Sequence, residues 1–256
     1  MSRFRGNRQF DRIQNRLYTF SDAKLSQDTD RPDTERRHII STQSDYVYRE
    51  LKNMIFHMVY LPGAKLTEQQ LSDALKVSRT PVHDALRRLE SDGLVRMEAN
   101  RGAVVTLFTD EEIRELGTIR LAQDILSARL ASYYGSVSDF DRLMSMAESC
   151  EQAAARGDVF QRIVQDAELH LEISRISRNA RLVAQQEALY QQVHLVQISK
   201  YTDIENSIAQ IHHHRPIIQA IRSHDLPEAE RLICEHIKDF YQLDPYLLKC
   251  YGADKT

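Results

Sequence analysis

The 256-residue sequence predicts a mostly α-helical protein, with an N-terminal winged helix-turn-helix unit and a C-terminal antiparallel bundle of about six helices. Two observations support this fold class. Between Leu66 and Val105, two short helical patterns separated by a tight turn precede a β-hairpin pattern. From residue 108 onward no convincing strand pattern occurs, and long helical segments alternate with short breaks. We therefore divide the chain into a leader at 1–41, a winged unit at 42–107 and a helical domain at 108–250.

The first forty residues carry nine basic and six acidic groups with little periodicity, which predicts a flexible leader. A basic arm that reaches along DNA is the alternative interpretation. A first helix is expected to begin near Ser44 or Asp45 and to stop before the helix breaker Leu61-Pro62-Gly63.

In each of the next two helices one face is apolar and the opposite face is polar, as a helix-turn-helix requires. Their apolar residues form one seam, with spacings of four and three in the second helix. These residues are Leu71, Leu75, Val82, Leu86 and Leu89. Ser78 or Thr80 can cap the second helix. The opposite face carries Arg79, Thr80, His83 and Arg87, which can reach phosphates and base edges.

A β-hairpin pattern follows the second helix directly. Leu94 to Glu98 and Ala103 to Leu107 flank a turn at 99–102, in which Gly102 suits a positive φ. Arg101 at the tip of this wing could enter a minor groove.

The string LTEQQLSDALKVSRTPVHDALRRLESDGLV, followed by NRGAVV, resembles the DNA-binding domain of the GntR family of bacterial transcription regulators. The resemblance starts at Tyr46 and implies a double-stranded DNA operator as partner. The implied DNA-binding residues are Gln69, Ser78, Arg79, Thr80, His83, Arg87, Arg101 and Gly102. Family members commonly carry Arg where this chain has Gln69 and His83, so the operator sequence cannot be transferred from them.

Composition limits the function classes. The sequence has neither an apolar run of eighteen residues nor the apolar core of a signal peptide, which predicts a cytoplasmic protein without membrane partners. Cys150, Cys234 and Cys250 have no paired spacing, which argues against a disulfide framework or a zinc ribbon. Residues 108–256 carry a net charge of −7, against +1 for 41–107, so DNA contacts belong to the N-terminal part.

Six helices are expected in the C-terminal part. Thr109 and the acidic residues after it predict a helix start. The expected helices lie at about 110–134, 137–155, 158–176, 179–200, 204–224 and 227–247.

Three of these helices place polar side chains on an apolar face. Asp166 and His170 lie one turn apart on the third helix, and His214 and His236 lie on the fifth and sixth. His214 precedes Asp225 by eleven residues and His236 follows it by eleven. In an antiparallel pair these imidazoles have equal height, roughly 16 Å from the turn, and should face each other.

Three nitrogens and one oxygen around a point suit a divalent transition metal, with Zn²⁺ preferred and Ni²⁺ or Mn²⁺ as alternatives. Open coordination positions would remain for water or a ligand carboxylate. Pro216 removes a helical hydrogen bond and could shift the register so that His213 replaces His214. Two rival interpretations are a metal-free core with an Asp166–His170 ion pair and a metal-dependent hydrolase. We expect no enzymatic activity, because no carboxylate general base lies beside the ligands.

The strings DAELH, HRPIIQAI and DLPEAERLICEH resemble the FCD effector domain of the FadR-type GntR subgroup, over most of residues 105–245. This resemblance implies that Asp166, His170, His214 and His236 bind the metal and that the protein dimerises mainly through the bundle. It also implies a repressor released by a small organic acid. A two-fold dimer would prefer a palindromic operator.

Arg120 and His194 are the candidate effector-binding residues. Arg120 either forms a junction salt bridge with Asp124 at i+4 or anchors an anionic effector beside the metal. His194 and Gln197, on the fourth bundle helix, either line the same cavity or pack in the core. The expected function is a ligand-responsive DNA-binding regulator.

Overall fold

A computed structural model of the chain describes residues 43–98, 102–200 and 213–249. In this part of the chain the protein is mostly helical with one small three-stranded sheet, which confirms the predicted fold class. The helices of the winged unit are α1 (Gln43–Phe56), α2 (Glu68–Leu75) and α3 (Arg79–Ser91). The strands are β1 (Lys65–Leu66), β2 (Val95–Glu98) and β3 (Gly102–Val105). The later helices are α4 (Asp110–Tyr134), α5 (Val137–Ala155), α6 (Val159–Ile176), α7 (Ala180–Lys200), α8 (His214–Arg222), α9 (Leu226–Tyr241) and α10 (Pro245–Lys249).

In the winged unit, α1 packs against α3 around fully buried Leu51 and Leu86. Ser78 lies at the N-cap position of α3, but its side chain makes no capping hydrogen bond there. The third residue of α3 is Pro81, which has no N–H to donate to a cap. The expectation of a side-chain cap at Ser78 is therefore wrong, and the alternative, Thr80, is the second residue of α3 and not its N-cap.

The wing contains one strand more than the sequence predicted. β2 and β3 pair antiparallel, with Met97 opposite Ala103, and β1 pairs with the other edge of β3. Gly102 has φ +89°, and a Cβ on it would lie 2.2 Å from the carbonyl oxygen of Leu66. Both the backbone conformation and the approach of β1 therefore require glycine here. The turn at 99–101, with Arg101, lies outside the described residues.

Local capping signals define the starts of the bundle helices. The side chain of Thr109 accepts from the backbone N–H of Glu112, which completes a capping box at the start of α4, and Ser136 with Asp139 does the same for α5. α4 and α5 have the predicted bounds, and α6 and α7 each begin one residue later than predicted. Their packing forms a core that includes Leu121, Leu143 and Val196.

The last two predicted helices differ from the structure. α8 is described from His214, while residues 204–212 of the predicted helix lie outside the described part. The predicted helix 227–247 is divided into α9 and α10. Gln242 ends α9 in the left-handed conformation, with φ 49°, and Pro245 cannot continue the helical hydrogen bonds.

The winged unit and the helical domain share a buried core. Leu51 and Leu86 belong to the same apolar cluster as Ile163 of α6 and as Leu195 and Ile198 of α7. The division of the chain at 41/42 and 107/108 stays a prediction, and the leader lies outside the described residues. Within the described ranges, none of the helices has the length and apolar character that a membrane span needs.

Candidate functional site

The structure brings Asp166, His170, His214 and His236 together in the interior of the helical domain. Asp166 and His170 lie one turn apart on α6, His214 begins α8, and His236 lies in α9. Each residue is at least 96% buried, and one candidate ligand atom of each lies within 4.8 Å of those of the others. His214, and not the alternative His213, is the member from α8.

The spacing of these atoms suits a small divalent ion. The Nε2 atoms of His170 and His236 are 3.1 Å apart, and Nε2 of His214 lies 2.9 Å from Oδ1 of Asp166. Nε2 of His236 lies 3.8 Å from the same carboxylate oxygen. Tetrahedral ligands at zinc distances are about 3.3 Å apart, so the observed spacings lie on both sides of that value.

The hydrogen bonding of the cluster supports the fit to a metal. Oδ1 of Asp166 and both ring nitrogens of His214 are buried without a hydrogen-bond partner among the described residues, although Oδ1 and Nε2 are close. A buried polar atom left in this state costs about 1–3 kcal/mol. A divalent cation between the two side chains would satisfy Oδ1 and Nε2 together. The residues present therefore fit a metal ion.

A second layer of polar side chains holds the candidate ligands in place. Nδ1 of His170 lies 3.4 Å from Oδ2 of Asp124, and Asp124 accepts hydrogen bonds from Gln186 at 2.8 Å and from Tyr190 at 3.1 Å. Gln197 donates to Oδ2 of Asp166 at 3.1 Å. Such partners fix the tautomer and the orientation of metal ligands. Sequence reasoning missed Gln186, although its spacing of four from Tyr190 puts both on one face of α7.

Burial and neighbouring charges set the protonation states of the cluster. Burial lowers the pKa of His170 to about 4 and holds the pKa of His236 well below its usual value. Burial works against the ionised form of Asp166, yet the neighbouring histidines and Arg120 hold its pKa well below the usual range. Neutral imidazoles and an ionised carboxylate are the forms that bind a metal.

Arg120 lies next to this cluster and is 1% exposed. Its Nε donates to Asp124 at 3.2 Å and its Nη1 to the hydroxyl of Tyr241 at 3.3 Å. Its Nη2 lies 3.9 Å from Oδ2 of Asp166 and has no hydrogen-bond partner among the described residues. The predicted salt bridge with Asp124 is therefore present, and one further donor remains for another anion.

The space beside the cluster is small. A cavity of about 10 Å³ is bounded by Asp124, Ser127, His170 and apolar residues of α6, α8 and α9. This volume holds about one water molecule. An organic acid would have to widen it.

The structure places His194 apart from the four-residue cluster. Its ring stacks on Phe56 of α1, with centroids 4.2 Å apart and planes 8° apart. Burial lowers the pKa of His194 to about 4, and its Nε2 has no hydrogen-bond partner among the described residues. The residue contacts the winged unit, so its predicted place beside the effector is not supported by its position.

The candidate DNA-contacting residues share an exposed face of α2 and α3. Exposed members are Gln69, Ser78, Arg79, Thr80, His83 and Arg87. Nε of Arg79 donates to Gln69 at 3.1 Å, and Nδ1 of His83 lies 2.8 Å from Glu68. Gln69 and His83, at which this chain differs from the commoner family pattern, therefore both take part in contacts between α2 and α3. If this face binds DNA, both positions would affect which bases it recognises.

Two family models match the chain. Residues 43–105 match the model described as bacterial regulatory proteins of the gntR family, and residues 115–239 match the FCD domain. These ranges coincide with the winged unit and most of the helical domain.

Relatives and solved structures agree with these matches. An uncharacterized HTH-type transcriptional regulator, YdhC of Bacillus subtilis, is 27% identical over 75% of this chain and 89% of its own length. The HTH-type transcriptional repressor RspR of Escherichia coli is 24% identical over 75% of this chain and 85% of its own length. The structure of McbR/YncC from E. coli superposes with a TM-score of 0.68 at 21% identity, covering 82% of this chain and 99% of that one, and shows the same fold.

Proposed function

This chain belongs to the GntR family and is a DNA-binding transcription regulator with an FCD domain, and from that premise we propose that it is a repressor released by a small organic acid. The proposal rests on one observation. The buried cluster of Asp166, His170, His214 and His236 lies beside Arg120, whose Nη2 makes no hydrogen bond with the described residues. Such a site can hold a metal and an anion together.

Zn²⁺ is the proposed ion, with Ni²⁺ and Mn²⁺ as alternatives. The imidazoles of His170, His214 and His236 and the carboxylate of Asp166 would hold it, while Asp124 and Gln197 orient two of these ligands. When bound, the ion supplies open coordination positions for a carboxylate. Arg120 would bind the same carboxylate through its free donor, because a guanidinium forms strong charge-assisted hydrogen bonds.

Helix α7 connects this site to the winged unit. Its residues Tyr190 and Gln197 bond to Asp124 and Asp166, while His194 stacks on Phe56 and Leu195 packs in the core of the winged unit. An effector that widens the small cavity must displace its lining residues, and one of these, Asp124, is hydrogen-bonded to Gln186 and Tyr190 of α7. Effector binding can then change DNA affinity by favouring another placement of the winged unit.

We propose that the functional unit is a homodimer on a palindromic operator. One winged unit covers only a few base pairs, so a specific site needs two. The exposed apolar residues Leu126, Tyr133 and Val137 lie near the junction of α4 and α5, with exposed fractions of 44%, 79% and 65%. An exposed apolar patch of this kind marks an association surface, and we assign it to a second copy of the chain.

Sedimentation equilibrium tests this assignment. Leu126→Glu combined with Tyr133→Glu should convert the dimer to monomer, whereas Tyr246→Glu, at an exposed tyrosine of α10, should not. An unchanged dimer in the double variant would place the interface elsewhere.

An operator titration tests the regulatory proposal. Double-stranded DNA selected from a random library would be bound to the purified protein, and small carboxylates would be added with Zn²⁺, Ni²⁺ or Mn²⁺ and without metal. At least one carboxylate should release the DNA only when metal is present. Release that is independent of metal would favour the metal-free interpretation, and tighter DNA binding would show that the protein is not a repressor released by its effector.

A further inference from the structure

A second cleft lies between the winged unit and the helical domain, away from the four-residue cluster. Its volume is about 410 Å³, within the range of small-molecule sites. Residues of α3, β2 and the β3–α4 connection form one wall, and residues of α4 and α7 form the other. A molecule bound here would contact both domains at once.

The floor of the cleft is apolar. Val95 of β2 is 1% exposed, and Phe108 and Leu116 are partly buried where the two domains meet. Phe108 and Leu116 offer apolar surface to a compact hydrocarbon group, whose burial contributes about 25 cal/mol per Å².

Three polar side chains around this floor lack partners. Thr106 is 3% exposed, and its Oγ1 has no hydrogen-bond partner among the described residues. Gln192 of α7 forms no hydrogen bond with the described part of the chain. Its side chain packs closely against Gly93, because a Cβ added to Gly93 would lie 2.7 Å from the side-chain amide of Gln192. Glu115 likewise has no ion pair within the described ranges.

The charge of the lining is negative. The lining contains Glu90, Glu112 and Glu115 but only one basic residue, Arg96. Arg96 is already paired with Glu112 at 2.5 Å, and Glu90 lies 3.6 Å from Arg87 and accepts from the backbone N–H of Met97 at 3.0 Å. Glu115, which is exposed, is therefore the lining carboxylate without an ion pair among the described residues, and its charge disfavours an anionic ligand.

We propose that this interdomain cleft binds a small organic cation, a primary ammonium on a compact apolar body. The ammonium binds the carboxylate of Glu115 and the side-chain carbonyl of Gln192, and the apolar body packs against Phe108 and Leu116. A further donor or acceptor on the ligand can bond to the hydroxyl of Thr106. This site differs in charge preference from the proposed organic-acid site and does not depend on it.

Binding in this cleft has a regulatory consequence. A ligand that contacts both walls stabilises the placement of the winged unit in which the cleft is formed. If the winged unit binds DNA in a different placement, the cation lowers operator affinity, because it stabilises the placement in which the cleft is formed.

Calorimetric titration of the full-length protein tests the proposal. The probes are 2-phenylethylammonium, hexylammonium and, as an isosteric anion, 3-phenylpropanoate. We expect saturable binding of the two ammonium probes and none of the anion. Absence of saturable binding of both ammonium probes at millimolar concentration, or equal binding of the anion, would overturn the proposal.

Two variants locate the binding. Glu115→Gln should weaken binding of the ammonium probes by roughly two- to fivefold, the effect of one exposed ion pair. The matched control Glu148→Gln changes an exposed glutamate of α5 and should leave binding unchanged. Equal affinities of these two variants would show that the probes bind elsewhere.

The final variant separates this site from the metal cluster. His236→Ala should retain the affinity for 2-phenylethylammonium, because the cleft does not include the cluster. Loss of ammonium binding in this variant, with an unchanged melting temperature, would contradict a separate site.

Discussion

The ring of His194 on α7 stacks face to face on the ring of Phe56 at the end of α1, with centroids 4.2 Å apart. Because α7 also carries Gln197, which bonds to Asp166, the same helix contacts the candidate metal site and the winged unit. This stack is therefore a place where a change around the metal site can reach the DNA-binding helices.

Phe56→Ala should weaken the response to effector while leaving metal content unchanged. The loss of the aromatic contact should also reduce the free energy of unfolding by about 2 kcal/mol, because the ring is only partly buried. Operator affinity with and without effector gives the coupling, and elemental analysis gives the metal content. His194→Phe, which keeps an aromatic stack, is the matched control and should retain the response. An undiminished effector response in Phe56→Ala would show that coupling takes another route.

Stability should fall between pH 6.5 and pH 4, in part because of His194. Burial lowers its pKa in the folded state to about 4, against 6.5 for an unperturbed histidine. In this interval the unfolded chain binds a proton at His194 that the folded chain does not, so the contribution of His194 to the free energy of unfolding decreases as pH falls and levels off below pH 4. Urea unfolding across this range should show a shallower slope for His194→Phe. Parallel curves for the two proteins would contradict the assignment.

His236→Ala should reduce bound metal at least about tenfold, because it removes one of four ligands and leaves a gap in the coordination sphere. Basal operator binding should be preserved, and the effector response should disappear. Elemental analysis after metal loading and DNA anisotropy measure the two quantities. His213→Ala is the neighbouring control and should keep its metal, since His214 is the residue in the cluster. Loss of metal in His213→Ala would move the site to the alternative register, and retention of metal in His236→Ala would contradict the proposed ligand set.

Arg79→Ala should weaken operator binding about tenfold or more per half-site, because Arg79 begins α3 on the exposed face that would enter the major groove. Metal content should not change. Fluorescence anisotropy at several salt concentrations measures the loss. Arg156→Ala, at an exposed arginine that ends α5, removes the same charge from the helical domain and is the control. Equal losses in the two variants would indicate a general charge effect instead of a specific contact.

Local sequence patterns, between residues close together in the chain, were sufficient to predict much of the architecture. Thr109 and Glu112, three residues apart, begin α4, and the short breaks between the predicted helices locate the bounds of α4 to α7 to within one residue. The approach of His214 to His236 also follows from spacing, because helical pitch and a short turn determine height and direction, whereas the resemblance to the FCD domain assigned Asp166 and His170 to the same site. The metal itself and the DNA contacts stay predictions.

The tertiary structure decided what depends on residues far apart in the chain. β1 has only two residues, too few for a strand pattern, and exists because β3 offers it an edge. The stack of His194 on Phe56 and the cleft beside Thr106 arise only when the winged unit packs on α7 and α4. Periodicity in a sequence shows which face of a helix is buried, but not which distant element covers it. Which element covers a given face depends on shape and charge complementarity between whole domains. This complementarity determined how the winged unit packs on α4 and α7.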